Sequence, residues 1–177
     1  QAADELDRPA WVAGSIGPTG LLPASDDPVL GAISFGELVE VFAEQARGLV
    51  AGGADLIIVE TAQDILEVKA AIFGAREAFA ATGTTLPIQC SVSLLPNGGK
   101  MLLGTDISAV LTTLVALDVD VIGLNCSTGP EDMRDAIRFL GEHAPIPVHC
   151  IPNAGLPLQG PDGETIFPET PEQLSEL

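Results

Sequence analysis

The chain is poor in basic residues and rich in acidic ones. It carries 7 Lys and Arg against 25 Asp and Glu, which gives a formal net charge of −18. Because this charge repels the phosphate backbone, no nucleic-acid partner is expected. No apolar run reaches the roughly 20 residues of a membrane span, and the polar start of the chain does not have the pattern of a signal peptide. No membrane partner is expected either.

Cysteine is scarce and widely spaced. The three residues, Cys90, Cys126 and Cys150, are an odd number, which excludes a framework of disulfides. They indicate a reducing, cytoplasmic location in which each thiol is either buried or functional. The motif Gly-x-Gly-x-x-Gly follows none of the apolar runs, which disfavours a dinucleotide-binding fold.

The chain does contain a repeated order of apolar strand, turn and helix. Strands are predicted at 11–16, 55–60, 87–93, 119–125 and 147–151, and helices at 35–51, 64–83, 106–117 and 130–141. A long loop at 152–168 and the start of a last helix at 170 follow. Strands that are apolar on both faces are typical of a buried parallel sheet. The fold class is therefore α/β, either a (β/α)8 barrel or a doubly wound sheet.

Polar residues follow nearly every predicted strand. They are Ser15, Glu60, Ser93, Asn125 with Cys126, and Asn153. In an open sheet such residues would gather at one switch point, whereas their spread over all five strands suits the ring of loops at one face of a barrel. Asp64, with Glu67 three residues later, predicts a capping box at a helix start.

Cys126 is the strongest candidate for chemistry. It ends the apolar strand Val119–Asn125 and comes just before a helix start at Pro130, where α/β proteins place their active sites. A lone cysteine after a strand is more often a small buried residue than a metal ligand. Cys90 and Cys150, which lie within strands, are expected to be buried core thiols, and no function is assigned to His143 or His149.

Four stretches of the chain together resemble the homocysteine-binding domains of cobalamin-dependent methionine synthases. They occur in the order of that family and cover almost the whole chain. They are Val12-Ala13-Gly14-Ser15-Ile16-Gly17-Pro18-Thr19, Gly52-Gly53-Ala54-Asp55-Leu56-Ile57-Ile58-Val59-Glu60-Thr61, Gly123-Leu124-Asn125-Cys126 with Gly129-Pro130, and Pro152-Asn153-Ala154-Gly155-Leu156-Pro157. The resemblance implies a (β/α)8 barrel in which this chain supplies strands three to seven. Residues 1–177 would then be a partial homocysteine-binding barrel domain.

The resemblance also implies the chemistry. Homocysteine would be methylated on sulfur to give methionine, with zinc held by three cysteines, of which Cys126 matches the first. Zinc favours thiolate ligands and deprotonates a bound thiol. The methyl group would come from methylcobalamin, recharged by 5-methyltetrahydrofolate, and further domains of the same polypeptide would bind both cofactors. The paired cysteines of the family's Gly-Gly-Cys-Cys-Gly signature are expected after Leu177.

Four more residues are candidates for substrate binding. The resemblance places a substrate-binding glutamate at Glu60, and a carboxylate at the end of an apolar strand needs a partner such as the substrate's ammonium group. The alternative for Glu60 is a helix cap or an ion pair. Asn125 and Asn153 are expected to organise the site, although turn chemistry is an equal alternative for Asn153. Ser15, with Gly17 and Thr19, is a weaker candidate for binding the substrate's carboxylate.

Three alternative functions stay open on the sequence. A betaine or S-methylmethionine donor would serve a related homocysteine methyltransferase with the same zinc barrel. A truncated, non-catalytic barrel fragment would show no methyltransferase activity by itself. A different barrel enzyme would use Glu60 as a general base and would tolerate Cys126→Ser.

Overall fold

A computed structural model describes residues 9–23, 25, 27–96 and 99–175 of the chain. Strands and helices alternate in the order β1 (Ala13–Ile16), α1 (Phe35–Ala51), β2 (Leu56–Ala62), α2 (Ile65–Thr82), β3 (Ile88–Val92), α3 (Ile107–Ala116), β4 (Val121–Asn125), α4 (Pro130–His143) and β5 (Val148–Ile151). A short hairpin, β6 (Leu158–Gln159) with β7 (Thr165–Ile166), and the helix α5 (Pro171–Ser175) follow. The predicted α/β class is confirmed.

The strand order decides between the two predicted architectures. The five strands form one sheet in the order β1-β2-β3-β4-β5, and every neighbouring pair is parallel. A doubly wound sheet reverses its strand order at a switch point, whereas each unit of a (β/α)8 barrel adds its strand beside the last. The sequential order is therefore that of the barrel, as predicted.

The two faces of the sheet have different surroundings. One face packs against the helices and carries a buried core that includes Ile57, Val59, Cys90, Ile122 and Leu124. Because side chains alternate along a strand, their neighbours lie on the opposite face, which we call the interior face. The buried polar residues Ser91 and Asn125 lie there, so this face carries the candidate chemistry.

The helix starts differ from expectation in one respect. Ser34 and Glu37 form a reciprocal capping box at α1, which was not predicted. At α2, Asp64 accepts hydrogen bonds from the N–H groups of Leu66 and Glu67. The Glu67 carboxylate instead accepts hydrogen bonds from Thr19. The reciprocal capping box predicted for α2 is therefore wrong, because tertiary contact draws Glu67 away from the cap.

Three other expectations needed correction. Strand β1 begins at Ala13 rather than at Trp11, whose side chain is 73% exposed. The predicted loop 152–168 contains the β6–β7 hairpin, whose strands are too short to show a sequence period. Cys150, expected in the core, is exposed, because β5 is an edge strand among the described residues. Its thiol lies 3.8 Å from the Met133 sulfur.

Two glycines make a matched test of the packing between α1 and α2. A Cβ at Gly74 in α2 would lie 2.7 Å from the Ala43 nitrogen, whereas a Cβ at Gly48 in α1 would meet nothing within 4 Å. We expect Gly74→Ala to destabilise the fold by about 2 kcal/mol or more, and Gly48→Ala to stabilise it by about 0.5–1 kcal/mol. Urea unfolding of both variants measures the difference; equal effects would contradict the close helix contact.

Candidate functional site

The candidate site lies where the parallel strands end on the interior face. Ser15 lies in β1, Glu60 in β2, Asn125 at the end of β4 with Cys126 directly after it, and Asn153 two residues after β5. The structure thus brings all five predicted site residues to the carboxyl edge of one sheet. This is the edge at which barrel enzymes bind their substrates.

Asn125 connects three neighbouring strands at this edge. Its Oδ1 accepts hydrogen bonds from the Thr61 N–H (2.9 Å) and the Ser91 hydroxyl (2.7 Å), and its Nδ2 donates to Thr61 Oγ1 (2.8 Å). The Asn125 carbonyl accepts a further bond from the Ser93 hydroxyl at 2.8 Å. These bonds engage both ends of the buried amide, so Asn125 links the ends of β2, β3 and β4 at this edge. Thr61 and Ser91 were not predicted, since each shows its role only once the strands are paired.

Glu60 and Ser15 are direct neighbours. The Ser15 hydroxyl donates a hydrogen bond to Glu60 Oε1, and Glu60 is half-buried. The salt bridges Arg134–Glu131 and Arg138–Asp135 do not include Glu60, and the cap of α2 is Asp64. A helix cap at Glu60 therefore finds no support in the described part of the chain, whereas the Glu60 charge acts on His149 and opposes the lowering of that ring's pKa by burial. Its carboxylate can accept a cationic group from outside.

Cys126 leaves β4 in an unusual backbone conformation. Its φ is 59° and that of Ser127 is 66°, in the left-handed region that few non-glycine residues adopt. The Cys126 N–H donates to the Ile151 carbonyl at 3.1 Å, and the Cys126 carbonyl accepts from the Thr128 N–H at 2.7 Å. These bonds hold the free, half-buried thiol at the end of the strand.

The fit to a metal is partial. A thiolate is a favoured zinc ligand, and Cys126 is the residue that the sequence resemblance matches to the first ligand. Among the described residues, however, no three His, Cys, Asp or Glu side chains converge on a possible metal position. The described residues therefore offer the Cys126 thiol as a candidate donor, and they do not form a complete zinc site.

The loop after β5 approaches the loop after β4. The Asn153 N–H donates to the Thr128 carbonyl at 3.2 Å. Thr128 is two residues after Cys126, so this bond joins Asn153 to the loop that carries Cys126. Asn153 itself is half-buried. This backbone contact does not distinguish the predicted site role of Asn153 from turn chemistry.

Thr19 is not free to bind a substrate. Its N–H and its hydroxyl both donate to Glu67 Oε1, each at 2.7 Å. The other oxygen, Oε2, is buried without a hydrogen-bond partner in the described part of the chain. Burial raises the pKa of Glu67, although the two bonds from Thr19 oppose this shift. Glu67 thus fixes the loop after β1 to the start of α2, and the predicted contribution of Thr19 to the site is not available.

His149 lies beside Gly123 on the interior face. A Cβ at Gly123 would come within 2.6 Å of His149 Nε2, so glycine leaves room for the ring. Burial lowers the pKa of His149, which favours the neutral imidazole. The sequence assigned no role to His149. The register of β4 and β5 places it opposite Gly123, two residues before the Asn125–Ile151 pair.

Comparison with known proteins places this geometry in a family. The family model described as "Homocysteine S-methyltransferase" matches residues 1–177. The chain belongs to the homocysteine S-methyltransferase family. The sequence resemblance to methionine synthases is thereby confirmed at the level of the family.

Two curated members of the family are similar along nearly the whole chain. The methionine synthase of Mycobacterium tuberculosis is 44% identical over 179 residues, and that of Mycobacterium leprae is 42% identical over 179 residues. Each alignment covers 99% of this chain and 14% of the relative. The chain therefore spans about one seventh of the length of the curated relatives it matches.

Solved structures of the family agree with the fold. The apo form of the homocysteine methyltransferase MmuM from Escherichia coli has a TM-score of 0.65 at 24% identity, with coverage of 82% of this chain and 49% of that one. Its metallated form has a TM-score of 0.62 at 27% identity, with coverage of 83% and 50%. These neighbours support a partial (β/α)8 barrel.

Two glutamates at the same helix position predict opposite responses to pH. Glu67 and Glu37 are each the third residue of their helix, but burial raises the pKa of Glu67, whereas hydrogen bonds from Ser34 lower that of Glu37. Between the ordinary value of 4.5 and the raised one, the unfolded chain releases the Glu67 proton that the folded chain keeps. This difference lowers the free energy of unfolding as pH rises.

We therefore expect Glu67→Gln to gain stability relative to the original chain as pH rises from 4.5. Glu37→Gln should lose stability relative to the original chain as pH rises from the lowered pKa of Glu37 to the ordinary value of 4.5. The reason is that folding favours the ionised form of Glu37. Urea unfolding at several pH values between about 3 and 8 measures both trends. The same sign of pH dependence in the two variants would contradict the assignment.

Proposed function

We propose that this chain is the central part of a homocysteine-binding barrel that transfers a methyl group to the thiol of homocysteine, forming methionine. The observation that carries this proposal is the pair of hydrogen bonds between Thr61 and Asn125. Glu60 directly precedes Thr61, and Cys126 directly follows Asn125. The two bonds therefore connect the chain segments that carry a carboxylate and a thiol. Homocysteine carries an ammonium group and a thiol that are separated by three carbon atoms.

Each residue has a role in this proposal. Glu60 would accept the ammonium group, which supplies the charged partner that a half-buried carboxylate needs. Ser15 would orient the Glu60 carboxylate through its hydroxyl. Asn125 would hold both loops without competing for the substrate, and Asn153 would shape the neighbouring loop. Residues 1–177 would be a partial domain of a longer polypeptide.

Zinc is proposed as the metal, with Cys126 as one of its ligands and the other cysteines outside this chain. When bound, the metal would lower the pKa of the substrate thiol and so supply a thiolate at neutral pH. The residues of this chain would hold the amino acid end of the substrate and leave its sulfur at the Cys126 side. The neighbouring family structure titled as metallated supports a metal in this proposal.

The proposed methyl donor is methylcobalamin, recharged by 5-methyltetrahydrofolate in further domains. The support for it is that the curated relatives at 44% and 42% identity are named methionine synthases. The second candidate, a betaine or S-methylmethionine donor, has the support of the structural neighbours, which are titled homocysteine methyltransferases at 24–27% identity.

A cytoplasmic location is proposed from the free thiols, because disulfides are rare in that compartment. None of the described helices is long and apolar enough to cross a membrane.

Two cysteines provide a direct test of the thiol assignment. In the full-length protein we expect Cys126→Ser to lower homocysteine methylation by at least about 100-fold and to reduce bound zinc, because serine is a poor zinc ligand. Cys150→Ser is the matched control, since this residue is exposed and its thiol lies 3.8 Å from the Met133 sulfur, away from Cys126. It should keep both zinc and activity.

Metal content by emission spectroscopy and methionine formation measure the two effects. An active Cys126→Ser variant would contradict the zinc assignment and favour a barrel enzyme with Glu60 as a general base. A full-length protein that binds neither zinc nor homocysteine would favour the non-catalytic alternative.

A further inference from the structure

Strand β2 contains a bulge at Glu60 and Thr61. Val59 lies opposite Cys90 and Ala62 lies opposite Val92, so the two residues between them face the single residue Ser91 of β3. One extra residue in a strand is a β-bulge, which changes the direction of the side chains around it. Here the bulge returns Ala62 to the face of Val59.

The bulge brings two consecutive polar residues to one place. With regular alternation, Thr61 would lie on the helix-facing side and Ala62 on the interior face. Instead, the amide of Asn125, an interior residue, contacts both the N–H and the hydroxyl of Thr61. Ala62 is buried at 3% exposure. Glu60 and Thr61 are therefore both available to the interior face.

Thr61 is strained. Its φ is 58°, in the left-handed region, where a β-branched residue is a genuine outlier. Such a conformation persists only where the surrounding structure fixes it, and outliers of this kind gather at functional sites. Glycine would adopt this backbone at less cost, so local backbone preference does not account for threonine at this position.

Asn125 and the flanking pairs fix the strained residue. Both ends of the Asn125 amide bind Thr61, and the hydroxyl of buried Ser91 holds the same amide oxygen at 2.7 Å. Beyond the bulge, the Ser93 N–H donates to the Ala62 carbonyl at 2.8 Å. Thr61 is thus held from the side by Asn125, and the pairs Val59–Cys90 and Ala62–Val92 fix the strand before and after it, which also fixes the backbone of Glu60.

We propose that Thr61 is a positioning residue that fixes the Glu60 carboxylate for the ammonium group of the substrate. Its hydroxyl is the specific element, because it accepts the Asn125 amide hydrogen that would otherwise be buried without a partner. This inference rests on the proposed function, in which Glu60 binds that ammonium group. It assigns Thr61 to selection between substrates with and without an amino group.

The test compares homocysteine with 4-mercaptobutanoate, which is homocysteine without its amino group. Calorimetric titration of the full-length protein gives the Kd of each, and their ratio measures the contribution of the ammonium group. We expect the original protein to prefer homocysteine by at least about 10-fold, the range of a charge-assisted hydrogen bond. No preference would overturn the ammonium contact of the proposed function, and this inference with it.

Three threonine variants then separate positioning from folding. Thr61→Val keeps the shape and the N–H but lacks the hydroxyl, and we expect its preference to fall to within about 3-fold of equality. Thr61→Ser keeps the hydroxyl and should retain most of the preference. Thr82→Val is the control, because its hydroxyl bonds to the Ala78 carbonyl within α2, and it should retain the full preference.

A merely structural role gives a different result. Suppose that the original protein prefers homocysteine. If Thr61→Val then raises the Kd of both ligands equally, or leaves the preference unchanged, the inference is overturned and the proposed function stands. If Thr61→Val does not fold, Thr61→Gly replaces it. Glycine tolerates the left-handed backbone and keeps the N–H bond, and the same fall in preference is expected.

Discussion

The site depends on one buried amide. Asn125 is 6% exposed, and its side chain binds residues of β2 and β3 while its own backbone belongs to β4. A buried amide in such a network is stabilising only when each of its groups has a partner. Here Oδ1 accepts two bonds and Nδ2 donates one. This side chain therefore links the carboxyl ends of three strands in addition to their backbone pairing.

The two groups proposed to act on the substrate are neighbours of that amide along the chain. Glu60 is one residue before the partner of Asn125, and Cys126 is one residue after Asn125. Glu60 directly precedes Thr61, which has a left-handed backbone, and Cys126 is itself left-handed, as is Ser127 after it. Strain of this kind is common at binding sites, where a fixed geometry is worth its cost in stability. The fold around it is ordinary, with an apolar core between sheet and helices.

A second buried carboxylate has a different task. Glu67 is 2% exposed, but Thr19 occupies one oxygen and the other lies buried without a partner in the described part of the chain. It holds the loop that follows Ser15 and is closed to solvent. The half-buried Glu60 is the carboxylate that remains open to a ligand. Burial thus distinguishes Glu67, which has a structural role, from Glu60, the glutamate proposed to bind the substrate.

The sequence predicted those features that depend on local pattern. The five parallel strands follow from apolar runs such as Leu56–Val59, and the positions of Glu60 and Cys126 follow from the ends of those runs. The hydrogen bonds between Thr61 and Asn125 were not predictable, because the bulge appears only when Val59 and Ala62 are paired with β3. Glu67 was misread as a cap for a similar reason, since Thr19 lies 48 residues away in the chain.

A crystal structure of the full-length protein with homocysteine tests the central claim most directly. The account predicts the substrate nitrogen within about 3 Å of the Glu60 carboxylate, with the substrate sulfur and Cys126 on one metal ion. Thr61 should keep its left-handed backbone and both bonds to Asn125. A substrate bound away from Glu60, or a Thr61 that relaxes to an extended backbone in the complex, would contradict the account.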